Sequence, residues 1–152
     1  MKKILVILFV FSAPFFASSQ TCEQREAKLL EALGSFSAGY LYNTYGMIGG
    51  IVDAYSKEAY TAKKVTELLD EQKNLVDNLA KTLSNLKDGG YLPDQQDKDY
   101  VVSANSILNG LKRQANLFET YMDVKTDKSF NDYNDQRQKN WKEITKLMGL
   151  DK

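Results

Sequence analysis

Histidine is absent from this chain, cysteine and tryptophan occur once each, and proline occurs twice among 152 residues. Without histidine, the commonest general base and the commonest ligand for zinc, copper and haem iron are missing, and the Glu-x-x-His pairs of a di-iron bundle cannot be built. A single cysteine supports neither an intramolecular disulfide nor a thiolate metal site. A serine or cysteine nucleophile would lack its usual base, and no glycine-rich phosphate loop follows a strand. No cofactor and no metal are therefore expected, and the chain reads as non-enzymatic. Asp94, Asp97 and Asp99 miss the Asp-x-Asp-x-Asn-Gly spacing of a calcium loop and lack its glutamate; they read as charges at a helix start.

An excess of positive charge is also missing, since 20 Lys and Arg balance 20 Asp and Glu. That balance argues against the clustered basic surface by which a protein neutralises nucleic-acid phosphates, and it equally disfavours adsorption on anionic lipid. One long hydrophobic run does occur, at the very start. Lys2 and Lys3 precede the apolar stretch Ile4 to Phe11, Pro14 breaks it, and Ala17 and Ser19 occupy the small-residue positions before a cut. Residues 1–19 are thus expected to be a signal peptide and residues 20–152 a single domain that is periplasmic or extracellular. Removing Lys2 and Lys3 leaves 18 basic against 20 acidic side chains, a net charge of −2. At this length a domain buries roughly two thirds of its unfolded surface, enough for a core without staples.

Cys22 lies two residues beyond the expected terminus and is the candidate modification site. Membrane anchoring would require its lipidation, but Ser19-Gln20-Thr21 lacks the apolar first residue and small last residue that normally precede a lipidated cysteine. A disulfide through Cys22 to a second copy, or non-covalent self-association, are the routes to a homo-oligomer.

Apolar residues recur at spacings of three and four, and alternating runs are lacking, so the expected fold is all-α, an up-and-down four-helix bundle following the signal peptide. The clearest seam is Val65, Leu69, Val76, Leu79, Leu83 and Leu86, ended by Gly89 and Gly90 with Pro93 beyond. A third helix carries Tyr100, Ala104, Ile107, Leu108, Leu111, Ala115, Phe118, Tyr121 and Met122. A fourth carries Phe130, Tyr133, Trp141, Ile144, Leu147 and Met148 and stops at Gly149. The first helix is unusual because Ala32 to Val52 contains no charge. Glycine costs about 1 kcal/mol relative to alanine inside a helix, so Gly46 to Gly50 offers a turn. The seam Phe36, Tyr40, Thr44, Met47, Ile51, Tyr55 nevertheless continues through the glycines, and Ser56 can cap a following helix. The expected helices are 22–55, 57–87, 94–125 and 128–148. A helix without a charged face is read as buried on most sides.

Four tyrosines, Tyr40, Tyr42, Tyr45 and Tyr55, fall within sixteen residues at several angles around that helix, so some must reach a second surface. Asp53, the first charge after the neutral segment, either pairs with Lys57 or anchors a tyrosine-lined groove. These five residues are the candidate ligand- or partner-binding set. Trp141 is read as the plug at one end of the bundle. The leading expectation for function is an interaction or structural component of the bacterial envelope with an envelope protein as partner. Two alternatives are a carrier or sensor holding a small apolar ligand in the core, and a protein whose neutral segment inserts into a membrane when triggered.

Overall fold

The computed structural model describes residues 21–151; the expected signal peptide, 1–19, and the cut before Gln20 lie outside them. Four helices follow in order: α1 Cys22–Ser56, α2 Ala62–Asp88, α3 Gln95–Val124 and α4 Asp127–Leu147. Each boundary has a local chemical cause. At the start of α1 the Thr21 hydroxyl accepts from the Gln24 amide at 3.2 Å while the Gln24 side chain accepts from the Thr21 amide at 3.1 Å, a reciprocal cap. The helix runs through Gly46, Gly49 and Gly50 without a break.

Ser56 does not cap the next helix. Its hydroxyl donates back to the Val52 carbonyl at 3.0 Å, and the chain instead turns through residues 57–61, with Glu58 in a left-handed conformation. Thr61 caps α2, accepting from the Lys64 amide at 3.3 Å, so that helix begins five residues later than its hydrophobic pattern implies. Gly90, at φ +75°, ends it by letting the Tyr91 amide fold back to the Leu86 carbonyl. Asp94 takes the cap position of α3 but makes no side-chain cap bond. The break between α3 and α4 is enforced by Lys125, a left-handed residue at φ +49°, and by Thr126, whose hydroxyl accepts from the Ser129 amide. Gly149 closes α4 as expected, with the Leu150 amide on the Thr145 carbonyl at 2.8 Å, although the Leu150 side chain stays exposed.

Residue pairs across the helices show the topology. Asp77 meets Lys112 and Ser84 meets Asn105, so α2 and α3 are antiparallel. Phe118 meets Tyr133 and Gln114 meets Asn140, so α3 and α4 are antiparallel as well. Ser37 bonds Tyr100 and Tyr55 packs on Phe118, so α1 and α3 run the same way across the bundle. Helix α3 touches the other three, whereas α2 and α4 flank it without contact. The core is therefore built around α3: Val101, Ala104, Leu108, Leu111, Ala115 and Phe118 meet Leu41, Ile48 and Val52 of α1, the Val65–Leu83 seam of α2, and Tyr133 and Ile144 of α4.

Three expectations change. The inward line of α1 is Ser37, Leu41, Thr44, Ile48, Ile51 and Val52, and Phe36 and Met47 face out, 78% and 53% exposed. The neutral helix is thus buried on one side only. The helix does not turn at Gly46 to Gly50, and a Cβ at Gly39, Gly46 or Gly50 would meet nothing within 4 Å. Trp141 is no plug either: it is 40% exposed, and the end of the bundle is filled by the aromatic run Tyr55, Phe118, Tyr121, Phe130 and Tyr133.

Where α3 and α4 cross, the core is polar. Asn140, fully buried, donates to Gln114 Oε1 and accepts from Gln136 Nε2, both at 2.8 Å. Gly110 of α3 makes room for it, since a Cβ there would collide with Asn140 Oδ1. The amide is held at both ends, its oxygen by Gln136 and its nitrogen by Gln114, which opposes rotation of the oxygen away from α3. Gly110→Ala is therefore expected to destabilise the protein by about 1–3 kcal/mol despite its better helix propensity. In an Asn140→Ala background the same change should be neutral or stabilising, and equal costs in both backgrounds, measured by urea unfolding, would contradict this close approach.

Candidate cleft between helices α1 and α4

Fixing Asn140 against α3 orients the rest of α4. Successive residues turn by about 100° around a helix, so Arg137 and Trp141 project from the flank beside Asn140, toward α1. There they meet two of the tyrosines singled out by sequence. The Trp141 ring centroid lies 5.4 Å from that of Tyr45 and 6.0 Å from that of Tyr42, both tilted, and the Arg137 guanidinium carbon sits 5.8 Å above the Tyr45 ring. Together Tyr45, Asn134, Arg137, Gln138, Trp141 and Lys142 line an open cleft of about 260 Å³.

Arg137 is the unusual member. Among the described residues no carboxylate lies within 4.0 Å of it, and its Nε is buried without a hydrogen-bond partner. Gly49 of α1 faces it, and a Cβ there would stand 3.5 Å from Nη2, in ordinary van der Waals contact with the guanidinium. Burial pulls its pKa down, but the Tyr133 and Tyr45 hydroxyls and the Asp53 carboxylate outweigh this and the net direction is up. The cation is permanent. Behind it, Tyr133 is 1% exposed with its hydroxyl unpaired, and burial raises that phenol above its ordinary pKa, against the opposing effect of Arg137. Gln114 Nε2, equally buried, also lacks a partner.

The five candidates from sequence separate. Tyr42 and Tyr45 belong to the cleft. Asp53 is exposed, two turns along α1; it forms no ion pair with Lys57 and acts on Arg137 only through its charge. Tyr55 is in the aromatic end cluster, edge-on to Phe118 at 5.7 Å. Tyr40, two positions from Tyr42 and so on another side of α1, packs against the core; burial raises its hydroxyl pKa, partly offset by Thr44. Cys22 is exposed in the first turn of α1, its sulfur 3.5 Å from Arg25 Nη2. Sequence reasoning missed Arg137, Asn134 and Gln138, and the buried amides behind them. The available signal was that Tyr133, Gln136, Asn140 and Ile144 share a helical spacing of three and four.

Among the described residues no group of three or more histidine, cysteine or acidic side chains is placed to hold a metal, and no helix is long and apolar enough to cross a membrane. Comparison with family models, with curated proteins and with solved structures returns no match for this chain.

The unpaired Tyr133 hydroxyl has a measurable cost. A buried hydroxyl without a partner is destabilising, so Tyr133→Phe should leave stability unchanged or raise it by up to about 1 kcal/mol. A loss greater than that in urea titration would mean that the phenol is hydrogen-bonded in solution.

Proposed function

We propose that this is an exported, non-enzymatic helical-bundle protein of the bacterial envelope, periplasmic or secreted, which docks a protein partner along the outward face of α1. The supporting observation is that face itself. From Ala32 to Gly50 its exposed residues are Ala32, Ser35, Phe36, Tyr42, Asn43, Gly46, Met47 and Gly50, with Gly39 half-buried among them, none of them charged, in a chain of which 26% is charged. Contiguous exposed apolar surface on a single domain is typical of interaction sites. The glycines strengthen the reading, because they weaken the helix by about 1 kcal/mol each and no contact within the chain requires them at positions 39, 46 and 50. A helix laid along a glycine stripe approaches closely, with Phe36 and Met47 as side-chain anchors at either end. The lead segment at residues 1–19, with Lys2 and Lys3 before the apolar stretch Ile4 to Phe11, motivates the export half of the reading.

Alanine at positions 39, 46 and 50 together should stabilise the isolated protein by about 1–3 kcal/mol, since each side chain would enter open space and each glycine is released from a helix interior. The same variant should lose its partner. A photo-cross-linker at Asn43, used in intact envelopes, is expected to capture one reproducible protein, while the same probe at Glu67 on the charged face of α2 is not. Equal capture at both sites, or undiminished capture by the stabilised triple variant, would sink the docking reading. Recovery of a mature chain beginning at Gln20 from the envelope fraction tests export separately.

A further inference from the structure

The cleft between α1 and α4 has the chemistry of a binding site, and it does not depend on the docking face for its argument. Three kinds of group converge there. Trp141 and Tyr42, 40% and 47% exposed and inclined at 51° to one another, form an angled aromatic shelf open to solvent. Asn134 and Gln138 bring two side-chain amides to its rim. Arg137 and Lys142 bring two cations, neither paired with a carboxylate among the described residues, and the Arg137 guanidinium lies over the Tyr45 ring with Gly49 facing it.

Each group selects a different property of a ligand. An exposed aromatic shelf takes a flat, partly apolar ring face. Primary amides donate and accept together, which suits neighbouring hydroxyl groups. A guanidinium at the cleft wall takes a carboxylate through charge-assisted hydrogen bonds from its terminal nitrogens, the Nε being buried behind them. The cleft is open and shallow, sized for one ring lying against the shelf rather than for an enclosed chain.

We propose that this cleft binds an anionic sugar, a pyranose ring bearing a carboxylate, with the ring on Trp141, its hydroxyls at Asn134 and Gln138, and its carboxylate on Arg137. Ligands of this chemistry occur as free sugar acids and as residues of acidic polysaccharides, and both present the same ring and charge.

Trp141 is the only tryptophan in the chain, so its emission reports on the cleft alone. Titration of the full chain with glucuronate at neutral pH should give a saturable change in emission, with a dissociation constant in the millimolar range expected of an open single-ring site, about 4 kcal/mol of binding. Glucose, which keeps the ring and lacks the charge, should bind at least tenfold more weakly, as should acetate, which keeps the charge and lacks the ring. Benzoate, which has ring and charge but no hydroxyls, should also fall behind. Arg137→Gln, verified as helical by circular dichroism, should lose the preference for glucuronate over glucose. A trigalacturonate that binds more tightly than its monomer assigns the site to a chain residue; equal affinity assigns it to a free sugar acid. Glucose, acetate or benzoate matching glucuronate in the unmodified protein would overturn the proposal, as would a folded Arg137→Gln protein that still prefers glucuronate.

Discussion

The arrangement of α4, and of everything it presents, depends on one close approach at Gly110. With no side chain at that position, the Asn140 amide enters the α3 surface and is held from both sides by Gln114 and Gln136. Apolar side chains can exchange neighbours when a helix slides or rotates, but an amide chain has a single pairing that satisfies its donors and acceptors, as a lone buried asparagine does in a coiled coil. The rotation of α4 follows from that pairing. Trp141 and Arg137 are consequently aimed at α1, where Tyr42 and Tyr45 wait, and Asn134 and Gln138 are carried to the same flank. The network is incomplete at its far end, where Gln114 Nε2 and the Tyr133 hydroxyl are unpaired directly behind Arg137. Strain of that kind is tolerated in natural cores mainly where a site is assembled.

Much of the architecture was legible because its causes are local. Gly89 with Gly90 and Gly149 each specify a helix end through residues a few positions apart, and the α2 seam contrasts sharply with the lysines and glutamates opposite it; the Thr21–Gln24 cap, equally local, was not read from the sequence. Where contrast is missing, the reading failed. In α1 both the inward and outward faces are uncharged, so Phe36 and Ser37, or Met47 and Ile48, compete for the core on nearly equal terms, and only packing against α3 decides for Ser37 and Ile48. Size and hydrophobicity pointed to Phe36; the neighbouring helix had room for a serine whose hydroxyl meets Tyr100 at 2.6 Å. The amides Gln114, Gln136 and Asn140 were invisible for a related reason: a polar residue on an apolar seam looks like an interruption until its partners are known to lie opposite. Arg137 was hidden by composition, being one charge among many in α4. The tyrosine cluster did point to the cleft, but it could not separate Tyr45, which lines it, and Tyr42, which packs on Trp141 beside it, from Tyr40 and Tyr55, which serve the core.

That α1 remains a continuous helix while carrying five glycines follows from the side it does bury. Each glycine costs about 1 kcal/mol of helix propensity, whereas burying a leucine, isoleucine or valine contributes about 1.5–3 kcal/mol. Leu41, Ile48, Ile51 and Val52 are at most 5% exposed, and they fall within the same three turns as Gly46, Gly49 and Gly50. Attachment to α3 thus outweighs the weakness of the backbone where the weakness is greatest. The consequence is a division of labour around one helix: its inner line supplies nearly all of its stability, one flank holds Tyr42 and Tyr45 against α4, and the outer line contributes nothing to the fold that alanine would not contribute better. A surface whose residues are worse than alanine for the protein's own stability is free of intramolecular duty, and natural sequences accept such a cost where function requires the geometry. In α1 the result is a backbone left open between two exposed side chains, Phe36 and Met47, the surface on which the proposed docking rests.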